Sequence, residues 1–412
     1  MIRISTLHTF QSGVDAMQRA QVALNKTNLQ LSSGRRILTP SDDPSGATQA
    51  SQLRSAIDST QQYQRNLDLA QPRLRQQESA IASITDQLQR VRELMIYGNN
   101  ETQTNETRGF MANEIRDIRD SLFEIANTKD PNGEYLFGGT RSLVAPFVMD
   151  ADGVVTYVGA QGDGAVREVA VTPTRKIAIG DTGAKVFMDM KENDGRVSAD
   201  IQRGPDLPLG TLVIERTEVS QPDEFYSGNN AAAQFEIQFQ RDADGQLQYQ
   251  VAGLTDWNDY HPEQTNRIEF AGRSVYLSGE PNVADTVISR PARAVDLFTT
   301  LDTVATALER GTGSASSRAN LINAFNKGIA DLDAATGHLN DIRASIGMRL
   351  QVVDNQTDFN QERILDLRTT LSAIEDLDYA EAISDFKFQQ VALQASQQAY
   401  VQVNRLSLFN FL

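Results

Sequence analysis

Three histidines, His8, His261 and His338, are the side chains best suited to acid–base or metal chemistry, and they fall in three separate stretches of the chain. A His-Glu-x-x-His helix would set two imidazoles on one face for zinc, a Gly-x-Ser-x-Gly elbow would expose a nucleophilic serine, and a Gly-x-x-x-x-Gly-Lys loop would wrap a phosphate. None of these patterns occurs, so the histidines are expected to be ordinary surface or half-buried residues. With no cysteine there is no thiolate nucleophile, no Cys-ligated zinc and no disulfide framework. Asp-Ala-Asp-Gly occurs at 150–153 and again at 242–245. It resembles the start of a calcium loop but lacks the downstream glutamate of an EF-hand chelate, so turns are predicted. Asp223 and Glu224 are neighbouring carboxylates, and on a strand they would point to opposite faces. A glycosidase-like pair between distant carboxylates stays open. Gly159-Ala-Gln-Gly-Asp-Gly runs from strand to strand rather than into a helix N-terminus, where a phosphate would be held, and is predicted to be a hairpin loop. The expectation is no catalytic residue, no metal and no cofactor. A glycan-binding or hydrolytic middle domain is the alternative of that class.

The 412 residues carry 38 Lys plus Arg against 54 Asp plus Glu, a net charge of −16. That balance argues against nucleic acid and against an anionic bilayer as partners. The start, Met1-Ile-Arg-Ile-Ser-Thr, has no apolar h-region, and no 18-residue apolar run occurs, so neither a Sec-type signal peptide nor a membrane span is expected. Residues 146–288 hold 7 of the 12 prolines and 14 of the 27 glycines, with 23 acids against 11 bases. The acidity is therefore concentrated in a turn-rich middle zone.

Inside that zone the period is two: Phe235, Ile237 and Phe239 alternate with Glu236, Gln238 and Gln240, and after a turn at 242–245 the series resumes at Leu247, Tyr249 and Val251. This predicts a β-hairpin within an antiparallel β domain. On either side the period is helical. Leu74, Ile81, Ile84, Leu88, Val91 and Met95 form one stripe, and Phe325, Ile329, Leu332, Leu339, Ile346, Leu350, Val353, Ile364, Leu367, Leu371 and Ile374 form another. Thr336, Arg343, Thr357 and Asn360 interrupt the second stripe, which suits a loose bundle better than a continuous zipper. The predicted class is α+β: an elongated rod of long antiparallel, coiled-coil-like helices from both chain ends, with an inserted antiparallel β domain. The expected divisions are an N-terminal axial helix (1–43), an N-terminal rod arm (44–145), a β-rich outer domain (146–288), a C-terminal rod arm (289–376) and a C-terminal axial helix (377–412).

At the two ends Leu7, Phe10, Val14, Met17, Leu24 and Leu31 follow a 3,4 frame with Gln21 and Asn28 at the missing steps. Tyr379, Ile383, Phe386, Leu393 and Tyr400 do the same with Gln390, Gln397 and Asn404. Periodicity alone suits a solvent-exposed helix pair closing the rod, but charge is sparse there and amides abound, which suits helices buried against copies of themselves. Asp43 reads as an N-cap and Pro44 as a first helical residue, so a new helix starts after a real break.

Leu31-Ser-Ser-Gly-Arg-Arg-Ile followed by Ser41-Asp-Asp-Pro-Ser-Gly-Ala resembles the N-terminal signature of flagellins and flagellin-like axial proteins. Leu88-Gln-Arg-Val-Arg-Glu-Leu and Ile374-Glu-Asp-Leu-Asp-Tyr-Ala are similar to two further motifs of that family, in the right order. Gly133-Glu-Tyr-Leu-Phe-Gly-Gly, the tail Leu406-Ser-Leu-Phe-Asn-Phe-Leu and Pro44 resemble the member at the hook–filament junction rather than a filament-forming flagellin, which is the alternative. The resemblance does not extend into residues 146–288.

What the resemblance implies is a structural subunit, exported unfolded through the flagellar type III apparatus without a cleaved signal peptide and resident in the extracellular flagellum. It would polymerise as a homo-oligomer, a ring or short helical turn, between a hook-side hook-associated protein and flagellin. An export chaperone would dock on the C-terminal segment 383–412. The apolar residues of the two terminal frames would carry assembly. Arg35, Asp42, Asp43, Leu88, Arg90, Val91, Leu94, Glu114, Tyr135, Phe137, Gly138 and Gly139 would be motif and rod-packing residues. Arg90, Leu94 and Glu114 would also be candidates for contact with an innate-immune receptor.

Overall fold

The computed structural model describes residues 6–203 and 210–409. The chain opens with α1 (Thr6–Ser33), α2 (Pro44–Gly98) and α3 (Asn105–Ala126). Then follow β1 (Phe147–Met149), β2 (Val155–Tyr157), β3 (Glu168–Ala170), β4 (Lys176–Ala178), a π-helical turn (Ala184–Met188), β5 (Met190–Lys191), β6 (Val197–Gln202), β7 (Val213–Val219) and a four-residue helix, α4 (Pro222–Phe225). The strands continue as β8 (Phe235–Arg241), β9 (Leu247–Val251), β10 (Asn258–Asp259), β11 (Asn266–Phe270), β12 (Arg273–Ser278), β13 (Thr286–Pro291) and β14 (Ala294–Val295). The chain closes with α5 (Leu297–Glu309), α6 (Ala315–Glu375) and α7 (Tyr379–Phe409). All strand pairings are antiparallel. The chain divides into two compact units, residues 1–66 with 355–412 and residues 67–354, and the division falls inside α2 and α6.

The helical stripes become core because each finds a partner. Leu74, Ile81, Ile84, Leu88, Val91 and Met95 are at most 1 % exposed, as are Phe325, Leu332, Leu339, Ile346 and Val353. α2 and α6 run antiparallel, with Arg343 on Glu78 at 2.7 Å and Arg92 on Asp333 at 2.9 Å. They approach closely at glycines: a Cβ on Gly328 would lie 2.7 Å from the Met95 methyl, and one on Gly98 3.3 Å from the Phe325 ring. Arg108 is buried and caps the last turn of α2, donating to the carbonyls of Gly98 and Asn100, where the helix dipole favours a cation.

The proline- and glycine-rich zone does not share one core. Phe147, Val155, Tyr157, Val171, Ile177, Val186, Phe187 and Met190 belong to the apolar cluster of α2, α3, α5 and α6. Phe187 sits edge-on to Phe137 and Phe147, both at 5.2 Å, and stacks on Phe298 at 5.8 Å. A second, separate cluster, with Ile237, Phe239, Val251, Ile268, Val275, Leu277 and Val287, fills the space between a five-stranded sheet ordered β10-β9-β8-β13-β6 and a three-stranded sheet ordered β11-β12-β7. The hairpin read from the period-two pattern is β8–β9, with Phe239 opposite Tyr249. The only links through which the chain enters and leaves this second core pass β5 and β14, which pair with each other.

Two local expectations are corrected. Residues 159–164 do not close a hairpin: β2 pairs with β1, and β3 with β4. The glycine run packs instead against Gly138 and Gly139, with Ala160 N donating to Gly138 O at 3.2 Å and Thr140 N to Ala165 O at 2.9 Å. Asp223 and Glu224 lie in the single turn of α4 rather than on a strand, because Pro222 starts a helical turn there.

The two cores are joined by charge. Glu192 is 2 % exposed and accepts from Arg290, from Lys327 at 2.8 Å and from Arg293 N at 2.9 Å. Burial pushes its carboxyl up, but the Arg290 and Lys327 donors outweigh that and hold it at about 2. Burial pushes the neighbouring Asp331 carboxyl up.

Three outcomes follow from this packing. Gly139 has φ +62° and a Cβ there would meet Ala165 O at 2.4 Å, whereas Gly133, at φ +83°, has open space around it. Gly139→Ala is expected to cost about 3 kcal/mol or more and Gly133→Ala about 1 kcal/mol, read by urea unfolding. Replacing residues 193–292 with a short Gly/Ser linker should leave the helical core melting cooperatively, whereas replacing 150–285 should not, since it deletes Phe187 and its neighbours from that core. Glu192 ionises more readily folded than unfolded, so its contribution of about 3 kcal/mol is complete above about pH 4.5 and is lost as the pH falls toward 2. Asp331 acts with the opposite sign. Glu192→Gln should flatten the dependence of unfolding free energy on pH across that window.

Candidate functional site

Among the described residues no cluster of His, Asp and Glu could hold a metal ion, and no helix is long and apolar enough to cross a membrane. His8 and His261 are exposed, and His338, half-buried, bonds to the Lys185 carbonyl at 2.7 Å.

α1 and α7 pack along their length, with Thr27 Oγ1 donating to Gln389 Oε1 at 2.9 Å. On α1 one row of half-buried residues is Met17, Leu24 and Leu31, beside Val14. Its companion row is Gly13, Ala20, Thr27 and Gly34, small residues seven apart that let large α7 side chains approach. A Cβ on Gly13 would touch Tyr400 at 3.6 Å, and one on Gly34 would meet the Tyr379 hydroxyl at 2.9 Å. On α7 the half-buried row is Phe386, Leu393 and Tyr400, and its companion is Ala382, Gln389 and Ser396. The companion rows lie four residues before the apolar rows, not three. Gln21, Asn28, Gln390 and Gln397 are therefore exposed, and so is Ile383, at 45 %. A search keyed to large apolar residues passes over Gly, Ala and Ser, and so selects the wrong companion row. The side chains of Leu7, Phe10 and residues 403–412, including Asn404 and the tail motif, lie outside the described residues.

The outer faces of the pair remain apolar: Val22 is 68 % exposed, Leu29 58 %, Phe388 75 % and Val391 63 %. From Tyr379 to Gln402 only Glu381, Asp385 and Lys387 are charged.

Both helix breaks are tied to each other. Arg36 N donates to Glu375 O at 2.7 Å, Leu377 N donates to Gly34 O at 3.0 Å, and Arg35 forms a β-bridge with Asp376. Gly34 supplies the left-handed residue that ends α1, with φ +71°. Asp43 Oδ1 accepts from Gly46 N at 2.9 Å and caps α2. Asp42 accepts from Leu38 N and Thr39 N and is paired with Lys26 at 2.8 Å, and these partners hold its carboxyl at about 2.

The remaining motif residues lie in the larger unit. Leu88, Val91 and Leu94 are buried, Leu94 at 6 % exposure, while Arg90 is exposed and bonds Glu114 at 2.8 Å. Leu94 is thus packed away from the surface that Arg90 and Glu114 share. Phe137 is fully buried, Tyr135 N donates to Ser142 O at 2.7 Å, and a Cβ on Gly138 would lie 2.9 Å from Arg141 O. The Gly133-to-Gly139 motif therefore folds the loop that seats Phe137 among the aromatics. Sequence reasoning missed Gln77, which is 1 % exposed and exchanges two hydrogen bonds of 2.9 Å with the backbone of Asp181. A lone glutamine in an apolar stripe was its only signal.

Residues 4–142 match the bacterial flagellin N-terminal helical region, and residues 329–412 match the bacterial flagellin C-terminal helical region. The chain is 26 % identical to flagellar hook-associated protein 3 of Escherichia coli over 408 residues, 99 % of both chains, and 24 % identical to that of Salmonella typhimurium over 409 residues. Its fold is similar to the crystal structure of flagellar hook-associated protein 3 from Legionella pneumophila, with TM-score 0.70, 26 % identity, and coverage of 79 % of this chain and 98 % of that one. It is also similar to FlgL from Xanthomonas campestris, with TM-score 0.67, 28 % identity, and coverage of 78 % and 99 %. The match to the flagellin of Aquifex pyrophilus, 30 % identical, covers 34 % of this chain and 26 % of that flagellin. With both flagellin helical regions at its ends and full-length likeness to hook-associated proteins, the chain belongs to the family of bacterial flagellin-like axial proteins.

Proposed function

We propose that this chain is a structural subunit of the bacterial flagellum that polymerises at the hook–filament junction, joining a hook-side hook-associated protein to the flagellin filament. The observation that carries this reading is the outer face of the α1–α7 pair. Val22, Leu29, Phe388 and Val391 are large apolar side chains more than half exposed on two helices that carry few charges. Exposed apolar surface of that kind marks an association site. The occupant proposed is a neighbouring copy or flanking axial subunit, whose own amide-rich, low-charge helices can be buried without stranding a charge. Likeness along the whole chain to proteins named hook-associated protein 3, against likeness over a third to a half of it to flagellins, favours the junction over the filament.

On this reading the protein is not an enzyme. It leaves the cell through the flagellar type III apparatus, with residues 383–412 held by an export chaperone, and it acts outside the cell as a homo-oligomeric ring or short turn. The acidic second core points into water. The terminal pair gains its final stability from assembly, because a two-helix element with one face unburied scarcely offsets its ordering entropy.

Val22→Asp with Val391→Asp is expected to leave the monomer's helical content and the melting of its helical core unchanged while lowering junction assembly at least tenfold, counted as filament-bearing hooks by electron microscopy. Normal junctions from the double variant would sink the reading. Counting copies per flagellum separates the alternatives: a ring's worth supports the junction, and thousands would mean a filament-forming flagellin.

A further inference from the structure

Among the described residues the second apolar core forms a cluster separate from that of the helices, and the bonds that join the two are polar. α6 turns two different faces: Leu321, Phe325 and Leu332 enter the helical core, while Asn320, Asn323, Asn326, Lys327 and Asp331 face the strands. Asn323 accepts from Ile214 N at 2.7 Å and donates to Leu212 O, and Asn326 donates to Ile214 O, so α6 stitches the open edge of β7. Between β6, β7 and α6 remains a groove of about 260 Å³. The two apolar clusters do not merge across it.

The covalent connections are two: residues 191–197 going out and 291–294 coming back. The outgoing one carries Asn193 at φ +53° and Gly195 at φ +79°, left-handed residues that change chain direction within three positions. Over this neck sits the charge cluster. Glu192 of the neck binds Arg290 at the end of β13 and Lys327 of α6; Asp200 of β6 binds Arg290 at 2.5 Å and Lys327 at 3.2 Å; and Asp331 of α6 accepts from Asn193 N at 2.6 Å. Two cations and three carboxylates thus hold neck, strands and helix together. An interface across which two cores stay separate has little else to hold it once such contacts are exchanged for water.

We infer that the β domain of residues 197–291 is a hinged body on a two-strand neck, latched on α6 by Glu192, Arg290, Asp200, Lys327 and Asp331, and able to swing as a unit while the helices stay in place. Latched, it is as seen here. Released, it turns about residues 192–195 and 291–294, its own core unbroken.

The chain has no cysteine, so Asp244→Cys in the β8–β9 turn and Asp341→Cys on α6, both exposed, accept spin labels nowhere else. In the otherwise unaltered full chain, double electron–electron resonance should give one narrow distance distribution. Adding Lys327→Met should at least double its width, and Lys327→Arg should restore it. Since an unpaired Glu192 could loosen the neck by local unfolding, Asn323→Ala with Asn326→Ala provides a second route that strands no charge. It too should broaden the distribution, with the circular dichroism melt of the helices unchanged. Unbroadened distributions in both variants would mean a rigid seam, and a distribution already as broad before them would mean that no latch holds. Either outcome overturns the inference.

Discussion

Two helices that lie far apart in the chain, α2 and α6, bury their apolar stripes in one shared core, and the larger compact unit is built around it. Neither stripe could stay in water, and the neighbouring α3 and α5 cover only part of each, so the intervening chain must leave the helix end and return to it. The close approach needs small residues as much as large ones. Gly98 and Gly328 leave room for Phe325 and Met95 on the opposite helix, and a methyl group at either glycine would force those side chains and their α5 neighbours Leu308 and Val304 to shift. α3 and α5 then pack together beside this pair, and the loop holding Phe137 closes its end with an aromatic cluster.

The same device recurs in the terminal pair, where Gly13 and Gly34 receive Tyr400 and Tyr379. There the helices bury only one side each. The difference between the pairs lies in what is left over. α2 and α6 set exposed Leu69, Met348 and Leu365 among many Arg, Asp and Glu, whereas α1 and α7 set Val22, Leu29 and Phe388 among amides with few charges.

Long-period features were legible in the sequence. The stripes of α2 and α6, the cap at Asp43, the β8–β9 hairpin and the family motifs could all be read because each depends on side chains in a fixed repeat or on one local turn. What escaped depended on contacts between distant segments. Nothing local in residues 147–190 tells that they complete the helical core rather than the β domain, because the short strands β1 to β4 read like those of any sheet. The glycine run at 159–164 looks like a hairpin loop until Gly138 and Gly139 occupy its flank. The polar face of α6, Asn320, Asn323, Lys327 and Asp331, had a helical spacing that could have been noticed. It was hidden by the apolar face of the same helix.

The pairing of β5 with β14 has an evolutionary consequence. Strands in an antiparallel pair lie about 5 Å apart, so the helical core sees the whole second core as a single tight turn between Lys191 and Ala294. Any autonomously folding segment whose ends lie that close could replace it without disturbing a helix. The site is a natural cassette, at which lineages can exchange, enlarge or discard an exterior module while the helices that meet other subunits stay fixed.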